Sequence, residues 1–237
     1  MIWNQRRVQS KQPASLGLLL AQPKEPTTTA KIGLQPLGLD SDRDGFLYVP
    51  TSYRASHPAP LVLMLHGAGG KAQYGIAPFQ PFADAAGLVL LAVDSRLQTW
   101  DVIMSRYGSD IQFIDRALAY TFDRCAIDPT RIAIEGFSDG ASYALSVGIS
   151  NGNLFSHIIA FSPGFMAPAA QNGSPNIFIS HGKRDNVLLI ERCSRKIVPQ
   201  LQQADYQVLY REFDDGHIIP EPIIREALKW FMKTASF

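Results

Sequence analysis

The stretch Gly136-Phe137-Ser138-Asp139-Gly140 sets a serine between two glycines. It follows the apolar run Arg131-Ile132-Ala133-Ile134-Glu135 and precedes the alanine-rich run Ala141–Ile149. A serine on a sharp strand-to-helix turn holds its hydroxyl out, beside helix N-terminal N–H groups that can receive negative charge. Small neighbours are expected because a side chain two residues away on either side would collide with it. A hydroxyl is a weak nucleophile at neutral pH, so an imidazole must take its proton as it attacks a carbonyl carbon. His217, in Asp214-Asp215-Gly216-His217, is the candidate base, and later the acid that protonates the leaving group. A carboxylate must set the imidazole tautomer and stabilise the imidazolium; the candidate is Asp185, in His181-Gly182-Lys183-Arg184-Asp185. Asp214 and Asp215 are its rivals, although their closeness to His217 in the chain makes a favourable angle harder to reach. A tetrahedral intermediate needs two N–H donors. The backbone N–H of Asp139 is one candidate, and that of Ala68, in His66-Gly67-Ala68-Gly69-Gly70, is the other.

Each residue has a plainer reading. Ser138 alone suits a helix N-cap, but the flanking glycines and the downstream partners weigh against that. His217 would be a surface loop histidine were it not placed after the last strand. His66, at the end of a buried strand, reads as a brace for its loop. His57, His157 and His181 have no better claim, and His181 opens the turn that carries Asp185. Asp94 reads as a loop-stabilising carboxylate. Cys125 and Cys193 read as free thiols in helical context, and Cys193 sits on a helix rather than on an elbow. The histidines are scattered, without H-E-x-x-H or paired C-x-x-C, so no metal site is expected. The glycine-rich loop lacks the ending of a P-loop and the spacing of a dinucleotide fingerprint, so no cofactor is implied.

Strands must carry these residues to one edge. Leu16–Ala21, Phe46–Val49, Pro60–Leu65, Leu88–Val93, Arg131–Glu135, His157–Phe161, Asn176–Ser180 and Gln207–Phe213 read as strands, several of them apolar throughout, as in parallel sheets buried on both faces. Pro23–Asp44 reads as loop, and Asp128-Pro129 as a turn before the strand that leads to Ser138. Helices are expected over Phe79–Ala86, Asp110–Phe122, Ala141–Ile149, Val187–Gln203 and Glu221–Thr234. The alternation predicts an α/β architecture: a mostly parallel sheet covered on both faces, with ligands at the carboxyl ends of the strands.

A chain of 237 residues suits one large α/β domain, read here as residues 16–237 behind a polar tail of residues 1–15. Twenty-two basic and 21 acidic residues leave a formal charge of +1, which points to neither nucleic acid nor an anionic membrane as a partner. No apolar run approaches the roughly 18 residues of a spanning helix. Arg6, Arg7 and Lys11 precede Ser15–Ala21 in the manner of a signal peptide, but the apolar part is short and no A-x-A-like site ends it. The expectation is therefore a first strand in a cytoplasmic enzyme.

Leu61–Gly70, the Asp128-Pro129 turn with Arg131-Ile132, Gly136–Gly140, His181-Gly182 with Asp185, and Gly216-His217 together resemble a serine hydrolase of the α/β-hydrolase superfamily. The order Ser, Asp, His is the one found in that superfamily. The chain is most similar to the phospholipase/carboxylesterase branch and to polyhydroxybutyrate-depolymerase-like and feruloyl-esterase-like esterases. The resemblance implies a twisted, mostly parallel sheet without a large cap, and hydrolysis of small or soluble carboxylic esters through an acyl-serine. An acyltransferase or amidase would use the same three residues, and a non-catalytic binding protein is the remaining alternative. The loop reads HGAGG where many lipases and esterases have HGGG, which leaves the second oxyanion donor less defined. Ser162–Pro175 is too short for a helical lid; Phe165 and Met166 are expected as an apolar wall, and Trp100 and Tyr107 as lining on the acyl or alcohol side.

Overall fold

The computed structural model describes residues 13–104 and 106–233; most of the expected N-terminal tail lies outside them. Its elements are β1 (Gly33–Pro36), β2 (Gly45–Val49), β3 (Ala59–Leu65), α1 (Ala72–Ile76), α2 (Gln80–Ala86), β4 (Val89–Val93), α3 (Asp101–Met104), α4 (Ser109–Phe122), β5 (Ile127–Phe137), α5 (Asp139–Ser150), β6 (His157–Phe161), β7 (Asn176–Gly182), α6 (Ser194–Gln203), β8 (Val208–Phe213) and α7 (Glu221–Lys233). The strands form one sheet in the order β1-β2-β4-β3-β5-β6-β7-β8. β1 and β2 run antiparallel to their neighbours, and every other pair is parallel.

Period-two alternation divides the central strands between two cores. Leu61, Leu63 and Leu65 of β3 and Ile132 and Ile134 of β5 face α4, α5 and α6. Val62 and Met64 of β3, Ala133 of β5, and Ile159 and Phe161 of β6 face α1, α2 and α7. Each fully buried large aliphatic or aromatic side chain contributes about 1.5–3 kcal/mol. This double layer is the scaffold that holds the strand ends in place.

Four expectations are corrected. Leu16–Ala21 is not a strand: Pro13–Leu16 is a 3-10 turn, and the following backbone is tied by side chains instead of a ladder. The Leu19 amide donates to Asn151 Oδ1 at 2.8 Å, and the Leu20 and Ala21 amides to Asp115 Oδ1 at 2.7 and 2.8 Å. The edge strand β1 lies instead within the stretch read as loop, and it is half-exposed, which gives it no apolar signature. Asp128-Pro129 falls inside β5, where Ala59 pairs with Ile127 and Leu61 with Ile132, so that β5 loops out extra residues. Asp128 closes that excursion by accepting from the Thr130 amide at 2.9 Å and Arg131 Nε at 2.7 Å. Finally, α6 starts at Ser194 rather than near Val187, because residues 187–193 form turns anchored on Asp185. Cys193 is thus a buried N-cap residue, and Cys193 and Cys125 are both free thiols.

Candidate active site

Ser138 is the single residue between β5 and α5, with φ 57° and ψ −118°. A non-glycine residue in that region costs about 1–3 kcal/mol and persists only where its surroundings over-determine it. They do so here. The Ser138 amide donates to the Phe161 carbonyl at 2.9 Å, and the Ser138 carbonyl accepts from the Ala141 and Ser142 amides, each at 3.0 Å. The flanking glycines are needed for a different reason from the one expected. A Cβ on Gly136 would overlap the Gly140 backbone, and one on Gly140 would overlap the Leu65 and His66 carbonyl oxygens. The glycines let strand and helix meet and let both approach the end of β3; they do not clear space around the serine side chain.

His217 lies in the loop between β8 and α7, and Asp185 lies just past β7. The fold brings both to Ser138. His217 Nε2 is 2.9 Å from Ser138 Oγ, and His217 Nδ1 is 2.6 Å from Asp185 Oδ2. The carboxylate requires the proton on Nδ1, so Nε2 is the acceptor that faces the serine hydroxyl. Burial raises the Asp185 carboxyl, but the hydrogen bonds from His217, Leu188 and Val187 outweigh it and leave Asp185 below the usual carboxylate range. The amides of Val187 and Leu188 donate to Asp185 Oδ1 at 2.9 and 2.8 Å. His181 supports the same turn: its Nε2 donates to the Leu188 carbonyl at 2.7 Å, and its Nδ1 accepts from Ser194 Oγ at 2.7 Å. Asp214 and Asp215 face away from this task. Asp214 pairs with Lys183 at 3.1 Å, and Asp215 Oδ1 accepts from the Gly216 amide at 2.8 Å.

Phe137 and Gly182, to which the sequence alone assigns no role, also position the histidine. The Phe137 ring lies 4.7 Å from the His217 ring, centroid to centroid; it is the unspecified second position of the pentapeptide, so no motif marks it. Gly182, at the end of β7, has no room for a Cβ against the Asp215 and Gly216 carbonyl oxygens. That close approach holds the histidine loop against the strand that leads to Asp185. Gly182→Ala must push this loop outward, and a displacement of about 1 Å costs roughly 10² in turnover. Steady-state kinetics on a soluble ester are expected to show that loss in kcat, with His217 Nε2 drawn away from Ser138 in a crystal structure of the variant.

Ala68 sits in the loop after β3. An ideal Cβ on the adjacent Gly67 would lie 3.5 Å from Ser138 Cβ, so this loop borders the serine. Neither the Ala68 nor the Asp139 amide donates to any described residue. His66 braces the loop: the Ser95 amide donates to Nε2 at 3.0 Å, and Nδ1 donates to the Gly67 carbonyl at 2.7 Å. Burial pushes the His66 ring pKa down, so both nitrogens are committed in the neutral form. Arg43 adds a second tie, from Nε to the Ser95 carbonyl and from a terminal nitrogen to the Gly70 carbonyl at 3.1 Å. Asp94 accepts from the Ala72 amide at 2.5 Å and so anchors the start of α1.

Trp100 and Tyr107 do not line an opening. Trp100 is 0% exposed, stacks on Tyr143 at 5.0 Å and donates its indole N–H to the His66 carbonyl at 2.9 Å. Tyr107 is buried and donates to the Ala167 carbonyl at 2.7 Å. Apolar bulk with a partnered polar tip makes both packing residues, Trp100 under the loop that follows β3 and Tyr107 against Ala167. Phe165 and Met166 are half-buried, and Met166 packs on the core that faces α5. The cavity beside the histidine lies elsewhere: about 460 Å³, with Ala68, Tyr74, Pro78, Phe137, His217 and Ile219 in its wall. Ser162–Pro175 contains no helix, so no helical lid rises from this segment.

The sheet order, the serine elbow and the acid and histidine at successive strand ends define an α/β hydrolase. The phospholipase/carboxylesterase family model matches residues 90–235, and the chain belongs to that family. A probable feruloyl esterase C of Aspergillus flavus is 25% identical over 156 residues, covering 62% of this chain and 57% of its own length. The chain thus spans little more than half of that relative. Among solved structures, esterase PE8 superposes with a TM-score of 0.64 at 21% identity, covering 80% of this chain and 98% of that one. The Bacillus cereus carboxylesterase superposes at 0.62 with 18% identity, covering 83% and 96%. At these identities the structures speak for the fold.

Proposed function

We propose that this chain hydrolyses carboxylic esters through an acyl-Ser138 intermediate. The observation that carries the reading is the unbroken hydrogen-bond succession Asp185–His217–Ser138. His217 Nε2 takes the Ser138 proton as Oγ attacks the ester carbonyl carbon. The new oxyanion is received by the Ala68 and Asp139 amides, the latter at the N-terminus of α5 where the helix dipole adds positive potential. His217 then gives its proton to the leaving alkoxide as the carbonyl re-forms. A water, deprotonated by His217, attacks the acyl carbon and releases the acid and the free serine. Asp185 stays ionised throughout and stabilises the imidazolium. The missing helical lid suits small or soluble esters rather than emulsified lipid.

Short-chain p-nitrophenyl esters are the direct test. A burst of p-nitrophenol, stoichiometric with enzyme, is expected before the steady state. Labelling by a fluorophosphonate should add its mass to the peptide that contains Ser138. No turnover and no labelling would overturn the reading. Methyl ferulate belongs in the same assay, because a feruloyl esterase is among the relatives.

A further inference from the structure

The cavity beside His217 contains one polar group that the mechanism leaves unused. Glu135 stands three residues before Ser138 on β5. It pairs in register with Met64 of β3 and Ile159 of β6, on the sheet face covered by α1, α2 and α7. It is 2% exposed and lines the cavity, and no hydrogen bond or charge from a described residue acts on its carboxyl. The other polar side chains in the cavity wall are spoken for or peripheral. Both His66 nitrogens and both His217 nitrogens are engaged, and the Tyr74 side chain is exposed. An unpaired buried carboxyl is a standing cost to the fold, and an apolar residue between Met64 and Ile159 would remove it.

We infer that Glu135 is a specificity-determining residue whose carboxyl receives a hydroxyl at the far end of the substrate chain, which makes ω-hydroxy esters the preferred class. The inference rests on the ester-hydrolase reading and names its substrate. Burial without any counter-charge pushes the Glu135 carboxyl well above its ordinary range, which favours its neutral form. A neutral acid offers one O–H donor and an acceptor oxygen, and a hydroxyl satisfies both. Phe137, Pro78, Ile218 and Ile219 suit an aliphatic chain leading to it. A cationic end is disfavoured, because it would share the cavity with His217 as that ring becomes an imidazolium. An anionic end would find no Lys or Arg in the wall.

The experiment measures kcat/KM for methyl ω-hydroxyalkanoates, butanoate to octanoate, against their methyl-terminated isosteres. Diol monoacetates against alkyl acetates repeat it for the alcohol side. The wild-type chain is expected to prefer the hydroxy member about tenfold at its best length, the effect of one hydrogen bond to an otherwise unpaired buried group. In Glu135→Leu the preference should fall to about one or reverse, and the thermal midpoint should rise; a structural role for Glu135 would lower it. Glu135→Gln keeps a donor and an acceptor and should retain most of the preference. Absence of a preference in the wild type, an unchanged preference in Glu135→Leu, or faster turnover of an ω-ammonium ester than of the hydroxy ester would overturn the inference while leaving the hydrolase reading intact. Failure of every ester, with no fluorophosphonate labelling, would bring down both.

Discussion

Replacing Ser138 by alanine is expected to lower kcat on a p-nitrophenyl ester on the order of 10⁶-fold, with the fold intact. Ser138 is 9% exposed, and its Oγ is the donor end of the hydrogen-bond succession that runs through His217 to Asp185. Alanine removes the attacking atom and leaves the glycine contacts of the elbow untouched. What activity remains should be that of the amide donors acting on water alone. Glycine at the same position makes a second, independent measurement. Because φ 57° and ψ −118° are open to glycine and strained for any other residue, Ser138→Gly should be as inactive as the alanine variant. It should also be more stable by about 1–3 kcal/mol in urea unfolding. Turnover above one part in a hundred in either variant would remove Ser138 from the mechanism. An unchanged midpoint in the glycine variant would show that the elbow is not strained.

Asp185→Asn is expected to cost about 10⁴ in kcat. Asp185 Oδ1 is fixed by the Val187 and Leu188 amides, so an asparagine would place its carbonyl oxygen there and its NH₂ toward His217. Nδ1 would then have to accept, the ring proton would move to Nε2, and the nitrogen that faces Ser138 could no longer take a proton. Substrate binding should be little affected, so the loss should appear in kcat. The same residue gives a stability signature. Its folded pKa lies below the unfolded value, so its contribution is present above the unfolded value, near pH 4, and is lost as pH falls through the folded one. Urea midpoints of Asp185→Asn should lack that part of the acid dependence. A kcat loss under tenfold would place the orienting acid elsewhere.

Much of this was legible along the chain. Apolar runs mark β3, β4 and β6 because strands buried on both faces leave no place for polar residues. Gly136 and Gly140 mark the elbow because two backbones must touch there. Residues past successive strand ends share one rim because parallel strands point the same way. Other features had no local signal. β1 is a half-exposed edge, and the Leu16–Ala21 backbone is held by the side chains of Asp115 and Asn151, more than ninety residues away in the chain. Trp100 reads as a pocket aromatic until its indole is seen bonded to the His66 carbonyl beneath the loop.

The candidate reactive groups and their order can be read off the chain, since types and spacing are properties of the chain. Which groups meet is settled by folding: Asp185 rather than Asp214 at His217 Nδ1, Phe137 against the histidine ring, and Glu135 left alone in a cavity. The reason is that hydrogen-bond geometry and desolvation depend on separations of a few ångströms, which the packing of two cores against one sheet sets and which distance along the chain does not.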